Sequence, residues 1–167
     1  VGHICIETKG PQCACGSQGC LETFVSASGI LRLVESSDNT DGRDKLLARS
    51  GSVAERVTVR DLYEAAIDGD IFANIVFKKM GYYLGIGIAS LVNTLGINTF
   101  LLGGGISQAW DFFIEPARKE LAERTYRETA RTVQIKKALL GDDAGLVGGG
   151  AAFFNRSQAP ATTRSAP

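Results

Sequence analysis

The sequence predicts an α/β layered fold, and three observations carry that expectation. Segments of strand character at residues 2–8, 99–102 and 132–138 alternate with helical segments. One helical segment, residues 71–95, keeps apolar side chains at three- and four-residue steps along its length. The run Thr99-Phe100-Leu101-Leu102 ends in three glycines, as a buried strand feeding a tight turn does.

Composition narrows the function classes. A chain of 167 residues with 44% hydrophobic content reads as one ordinary folded domain. The 18 Lys and Arg cancel the 18 Asp and Glu, so no basic surface for nucleic acid is expected. Gly, Asn and Lys interrupt every apolar stretch before the roughly 20 residues of a membrane span, so none is expected.

Residues 2–8 read as a short strand, with Ile4 and Ile6 on one side and His3 and Cys5 on the other. The loop Cys13-Ala14-Cys15-Gly16-Ser17-Gln18-Gly19-Cys20 follows. Tetrahedral zinc takes thiolate sulfur and imidazole nitrogen, which His3, Cys13, Cys15 and Cys20 supply. Gly16 and Gly19 let the backbone turn so that the thiolates converge. Disulfides are the alternative, but Cys13 and Cys15 are too close to pair without strain. Clustered cysteines beside a histidine favour a metal in a reducing compartment, and no signal peptide is visible. Cys5 is a rival ligand, or in the preferred reading a buried free thiol.

Residues 21–35 are expected to form one amphipathic helix with Phe24, Ala27, Leu31 and Val34 inward. Polar residues 36–52 read as a surface loop leading into a short helix. Thr58 caps the next helix, with Asp61 at the capping-box position, and Gly69 closes it. Asp70 caps the long helix, where Gly81, Gly85 and Ala89 form a small-residue stripe that admits a close neighbour.

The strand at 99–102 is expected to be buried on both faces. Gly103, Gly104 and Gly105 then make a turn whose amides can face a phosphate or ribose, with Ser107 as a polar partner or helix cap. A glycine turn alone more often has only a structural meaning. Residues 110–131 read as helical with Pro116 in the first turn, and Trp110, Phe112 and Phe113 packing just before it. Glu120–Arg124 and Glu123–Arg127 are expected as exposed pairs. Residues 132–138 form a strand with Val133 and Ile135 inward. Asp142 or Asp143 caps a last helix, 144–154, and residues 155–167 read as a disordered tail.

Gly2-His3, nine residues, then Cys-x-Cys-Gly-x-x-Gly-Cys-Leu-Glu resembles the signature of the ROK family of repressors and sugar kinases, its glucokinase-like branch above all. Leu101-Leu102-Gly103-Gly104-Gly105-Ile106-Ser107 and the stretch from Leu140 to Gly148 add weaker family features, so the likeness runs over residues 1–154. The resemblance implies the carboxy-terminal lobe of an actin-like, ribonuclease-H-like two-lobed sugar kinase with a zinc-binding loop. It implies that His3 binds zinc through one ring nitrogen and faces the sugar with the other. Glu22 would accept a sugar hydroxyl hydrogen bond. Gly103, Gly104 and Gly105, with Ser107, would contact adenosine. The implied cofactors are structural Zn2+, ATP and Mg2+, and the implied reaction is phosphorylation of a hexose, glucose or a relative. A cytoplasmic homodimer or higher homo-oligomer is the expected setting.

The chain departs from the family at its start. It lacks the glutamate before Val-Gly-His, the Asp-x-Gly-Gly-Thr phosphate loop, and the Asn-Asp pair that carries the general base. It is therefore expected to be the carboxy-terminal part of a kinase, inactive alone. The rivals are a sugar-responsive repressor of the same family and a bare zinc-stabilised interaction module.

Overall fold

The structure, a computed structural model, describes residues 1–50, 57–140 and 143–158. Helices α1 (Glu22–Val25), α2 (Ala27–Glu35), α3 (Thr40–Ser50) and α4 (Val59–Ile67) precede the long α5 (Ile71–Leu95). Strand β1 (Thr99–Leu102) leads through a 3₁₀ turn (Gly105–Ala109) into α6 (Trp110–Arg124). Then come α7 (Arg127–Thr132), β2 (Gln134–Lys137) and α8 (Ala144–Gln158). Among the described residues β1 and β2 form a two-stranded parallel sheet, with Phe100 opposite Ile135.

Helix α5 is the centre of the molecule. Asp70 caps it by accepting from the N–H of Ala73 at 2.8 Å, and Gly96 ends it at a φ of 67°. Its amino-terminal half buries Phe72, Phe77 and Met80 against Phe24, Ile30 and Leu62. Its carboxy-terminal half buries Ile88 and Val92 against Ile114, Leu121 and Ile135. The small-residue stripe does what its spacing suggests. A Cβ on Gly81 would lie 2.3 Å from the carbonyl oxygen of Phe113, and one on Gly85 would lie 2.6 Å from that of Ala117. Only glycine lets α6 approach this closely. By length and composition α5 could cross a membrane, yet 56% of its most apolar window is buried inside the fold.

Several expectations need correction. Residues 2–8 form turns with an isolated bridge from Cys5 to Cys20, because the chain folds back on the cysteine loop and not along a sheet. Cys5 is exposed, not buried. The helix expected at 21–35 breaks at Ser26, whose hydroxyl accepts from the N–H of Gly29 at 3.1 Å and starts α2 anew. The restart shifts the inner face to Ile30, Leu33 and Val34 and leaves Ala27 exposed. Strand β1 is covered on one face only, with Leu101 70% exposed, since the second core cluster packs on the other face.

Helix α6 begins at Trp110, so Pro116 is interior and the three aromatics belong to the first turn. Phe113 is buried there and Trp110 meets it edge-on at 5.7 Å. Glu120 pairs with Arg124 but is itself buried, because α6 turns this face toward α5. Glu123 lies near Lys119 at 4.0 Å, as Arg127 falls in α7 after the helix breaks. The Thr58 cap is a full capping box with Asp61. Helix α8 runs on to Gln158, past the expected end, and exposes Leu146 and Phe153. Asp142 and residues 159–167 lie outside the described residues.

Candidate functional site

The chain's first twenty residues form a compact knot around three sulfurs. The N–H of Ile6 and that of Leu21 donate to the carbonyls of Gly19 and Ile4, both at 2.9 Å, and lay Cys20 beside Cys5. The N–H of Cys13 donates to the carbonyl of Ser17 at 2.8 Å, which closes the tip of the loop. Gly19 has a φ of 66°, and a Cβ there would lie 1.6 Å from the carbonyl oxygen of Glu7. No other residue fits this crossing.

That backbone brings all four sequence-predicted ligands together. One donor atom each from His3, Cys13, Cys15 and Cys20 lies within 4.8 Å of the others. The Nδ1 of His3 is 3.6 Å from the Cys13 sulfur, and the Cys15 and Cys20 sulfurs are 3.7 Å apart. Tetrahedral zinc, with bonds of ~2.3 Å to sulfur and ~2.0 Å to nitrogen, spaces its ligands at about these values. The four cysteines are free thiols, so bridges are not formed. A hydrogen bond from the Ser17 backbone holds the Cys15 thiol below its ordinary value, whereas burial pushes Cys20 up to about 11.

Glu22 stands on the far side of the imidazole. The Nε2 of His3 is 3.5 Å from its Oε2, so the ring turns one nitrogen to the sulfurs and the other to the carboxylate. The N–H of Glu22 donates to the carbonyl of Gly2 at 2.8 Å, which pins the helix start to the histidine segment. Both side chains are about half exposed, at 57% and 50%, and so are open to a ligand.

The glycine turn is a separate place. Gly104 has a φ of 83°, and Gly104 and Gly105 have open space where a side chain would point. The hydroxyl of Ser107 donates to the carbonyl of Gly104 at 2.7 Å, so Ser107 stiffens the turn and does not cap α6. A cavity of about 830 Å³ opens beside it, lined by Ala27, Tyr63, Ile67, Gly105, Ile106 and Gln108. The contribution of α4 to this cavity was not legible in the sequence. Its trace is Ile67, an apolar residue lying off the buried Leu62–Ala65–Ala66 face of that helix.

Comparison with known proteins adds a family to this geometry. The family model described as "ROK family" matches residues 1–156. A glucokinase of Halalkalibacterium halodurans is 36% identical over 151 residues, which is 90% of this chain and 46% of that protein. A xylose repressor of Bacillus spizizenii is 24% identical over 148 residues, 89% of this chain and 34% of that protein. A solved ROK family glucokinase from Streptomyces griseus, in complex with glucose and AMPPNP, aligns with a TM-score of 0.73 at 30% identity. The alignment covers 90% of this chain and 49% of that one. The chain thus spans about half the length of the glucokinases it matches.

Proposed function

The chain belongs to the ROK family, and on that premise we propose that it is the sugar- and nucleotide-facing part of a hexose kinase that phosphorylates glucose from Mg-ATP. One observation carries the reading: the His3 ring joins the sulfur cluster through Nδ1 and faces Glu22 through Nε2. The cluster is assigned to zinc, held by His3, Cys13, Cys15 and Cys20. A metal there supplies structure, because four protein donors leave no position for an activated water. Ligation at Nδ1 fixes the tautomer and orientation of the imidazole, so Nε2 is preorganised for a polar ligand. Glu22, an acceptor when ionised, takes a hydrogen bond from a sugar hydroxyl beside it. Binding of this kind contributes by orientation, which is most of what phosphoryl transfer asks of a protein.

Gly103, Gly104 and Gly105 are assigned to the nucleotide. Missing side chains and a left-handed turn let backbone amides approach phosphate or ribose oxygens. The general-base step is assigned to no residue of this chain, which carries no Asn-Asp pair. Glu22→Ala in the whole protein tests the sugar site. Sugar affinity should fall roughly tenfold or more, the scale of a lost hydrogen bond to a charged group. The melting temperature should hardly move, since the side chain is 50% exposed. Unchanged sugar affinity would return Glu22 to the role of a helix-start residue.

A repressor is the second reading, supported by the similarity to the xylose repressor over the same part of the chain. The two readings separate in one assay of the whole protein. ATP-dependent sugar phosphorylation supports the kinase, and sugar-modulated DNA binding without turnover supports the repressor.

A further inference from the structure

Cys5 is the cysteine that the metal assignment leaves without a role, yet the backbone sets it directly opposite a ligand. We propose that Cys5 and Cys20 are a redox pair, which a small-molecule disulfide closes into a bridge that withdraws Cys20 from the metal. The withdrawal rests on the zinc reading above, and the bridge itself does not.

Two backbone hydrogen bonds define the pairing. The N–H of Ile6 donates to the carbonyl of Gly19 and that of Leu21 to the carbonyl of Ile4, and Cys5 and Cys20 face each other between them as an antiparallel bridge. Bonds made by the flanking residues mark the non-hydrogen-bonded pair of an antiparallel ladder, whose Cα atoms stand ~4.5 Å apart with both side chains on one face. Disulfides span Cα separations of roughly 4.4–6.8 Å, so the backbone already has the spacing a bridge needs. The Gly19 crossing holds the two segments in place, since a Cβ there would meet the carbonyl oxygen of Glu7 at 1.6 Å. The Cys20 sulfur is turned into the cluster, 3.6 Å from the carbonyl of His3 and 3.7 Å from the Cys15 sulfur. Closure therefore asks for rotation about two side-chain bonds and not for movement of the chain. Cys15 has the nearer sulfur, but among the described residues no backbone bridge sets it opposite Cys20.

Exposure divides the chemistry between the two thiols. Cys5 is exposed and Cys20 is fully buried, so an oxidant in solution reaches Cys5 first. The Cys5 thiolate attacks one sulfur of the disulfide RSSR, breaks its S–S bond and expels one RS⁻. The Cys20 thiolate then attacks the Cys5 sulfur of that mixed disulfide, forms the Cys5–Cys20 bond and expels the second RS⁻. The two protein thiols give up two electrons and two protons, and RSSR leaves as two RSH. A bridged sulfur is no longer a thiolate, the form that binds metal, so the ligand set shrinks to His3, Cys13 and Cys15. The imidazole of His3 then loses the anchor that aims its Nε2, and the sugar side of the knot becomes sensitive to the thiol–disulfide balance.

Exposure of the zinc-loaded chain of 167 residues to oxidised glutathione tests the proposal. Mass spectrometry of its peptides locates the bridge, and a chromophoric chelator reads the zinc set free. The expected result is a Cys5–Cys20 bridge, with zinc released in step with its formation and taken up again after a thiol reductant. Cys5→Ser, at an exposed position, should bind zinc as before and release none under the same exposure. A Cys15–Cys20 bridge in its place, or glutathione held on Cys5 with zinc retained, would overturn the redox pair and leave the metal reading intact. A folded chain that forms the Cys5–Cys20 bridge but binds no zinc when reduced would overturn the metal reading and leave the pair standing.

Discussion

Cys15→Ser is the sharpest test of the proposed metal centre, because Cys15 is the proposed ligand whose loss should do nothing else. It is exposed, whereas Cys13 and Cys20 are buried, so removing its sulfur opens no cavity in the core. Its sulfur is 3.7 Å from that of Cys20 and within 4.8 Å of the other donor atoms. Structural zinc contributes about 10–16 kcal/mol at neutral pH, or ~2.5–4 kcal/mol for each of four ligands if shared evenly. Losing one ligand should then weaken zinc by roughly two to three orders of magnitude. Competition against a chromophoric chelator measures this directly, without reference to any enzyme activity. Cys5→Ser is the matched control: Cys5 is also exposed, but stands outside the ligand set, so its affinity should equal that of the unsubstituted chain. If Cys15→Ser kept full zinc affinity, or if Cys5→Ser lost it, the assigned ligand set would be wrong.

Two further outcomes follow from the same coordinates. Gly81→Ala places a Cβ 2.3 Å from the Phe113 carbonyl oxygen, and since backbone cannot swing aside, α5 and α6 must part. The expected cost is ~1–3 kcal/mol, a fall in melting temperature of roughly 3–10 °C, and an unchanged melting curve would refute the close approach. Zinc affinity should also fall as pH falls. With its thiol pushed up to about 11, Cys20 holds a proton in the metal-free loop at neutral pH, and binding must expel it. Each expelled proton weakens apparent affinity about tenfold per pH unit, so a flat profile between about pH 6 and pH 8 would contradict thiolate ligation.

What the sequence made legible were features fixed by local chemistry. The convergence of His3, Cys13, Cys15 and Cys20 follows from residue type and spacing, and the caps at Thr58 and Asp70 follow from side-chain oxygens reaching the third N–H beyond them. The Gly81 and Gly85 stripe is legible because a missing Cβ has one plain use on a helix. Features decided by neighbours were not. Ser26 reads as an ordinary helical residue until its hydroxyl captures the Gly29 N–H and splits the helix. Glu120 reads as solvated until α6 is seen to turn it toward Gly85. Strand β1 reads as doubly buried because an apolar run does not reveal how many layers cover it. In the candidate site, the knot was legible and the α4 wall of the cavity was not, since Tyr63 and Ile67 carry no spacing that marks a ligand.

The knot and the helical core are held by different forces, and this decides what a chelator should do. Within residues 1–20 the buried positions are Cys13, Gly19 and Cys20, and the partly buried Ile6 packs against the main core cluster, so apolar packing holds the segment only lightly. Backbone hydrogen bonds and the proposed metal would carry most of it. From Leu21 onward the balance reverses: a Cβ on Gly87 would lie 2.6 Å from the Leu21 side chain, and Phe24 stacks on Tyr83 at 3.9 Å. Both contacts fasten α1 to α5 by packing that needs no ion. Removing zinc should therefore release the first twenty residues and spare α5. Hydrogen exchange with and without chelator reads this out: amides of Cys13, Gly19 and Leu21 should lose protection, while those of Phe77 and Ile88 should keep theirs. His3 would lose its fixed ring, and Glu22 would lose its neighbour without losing its helix. Equal loss of protection in α5 would mean that the metal supports the whole fold, and that site and core are not held separately.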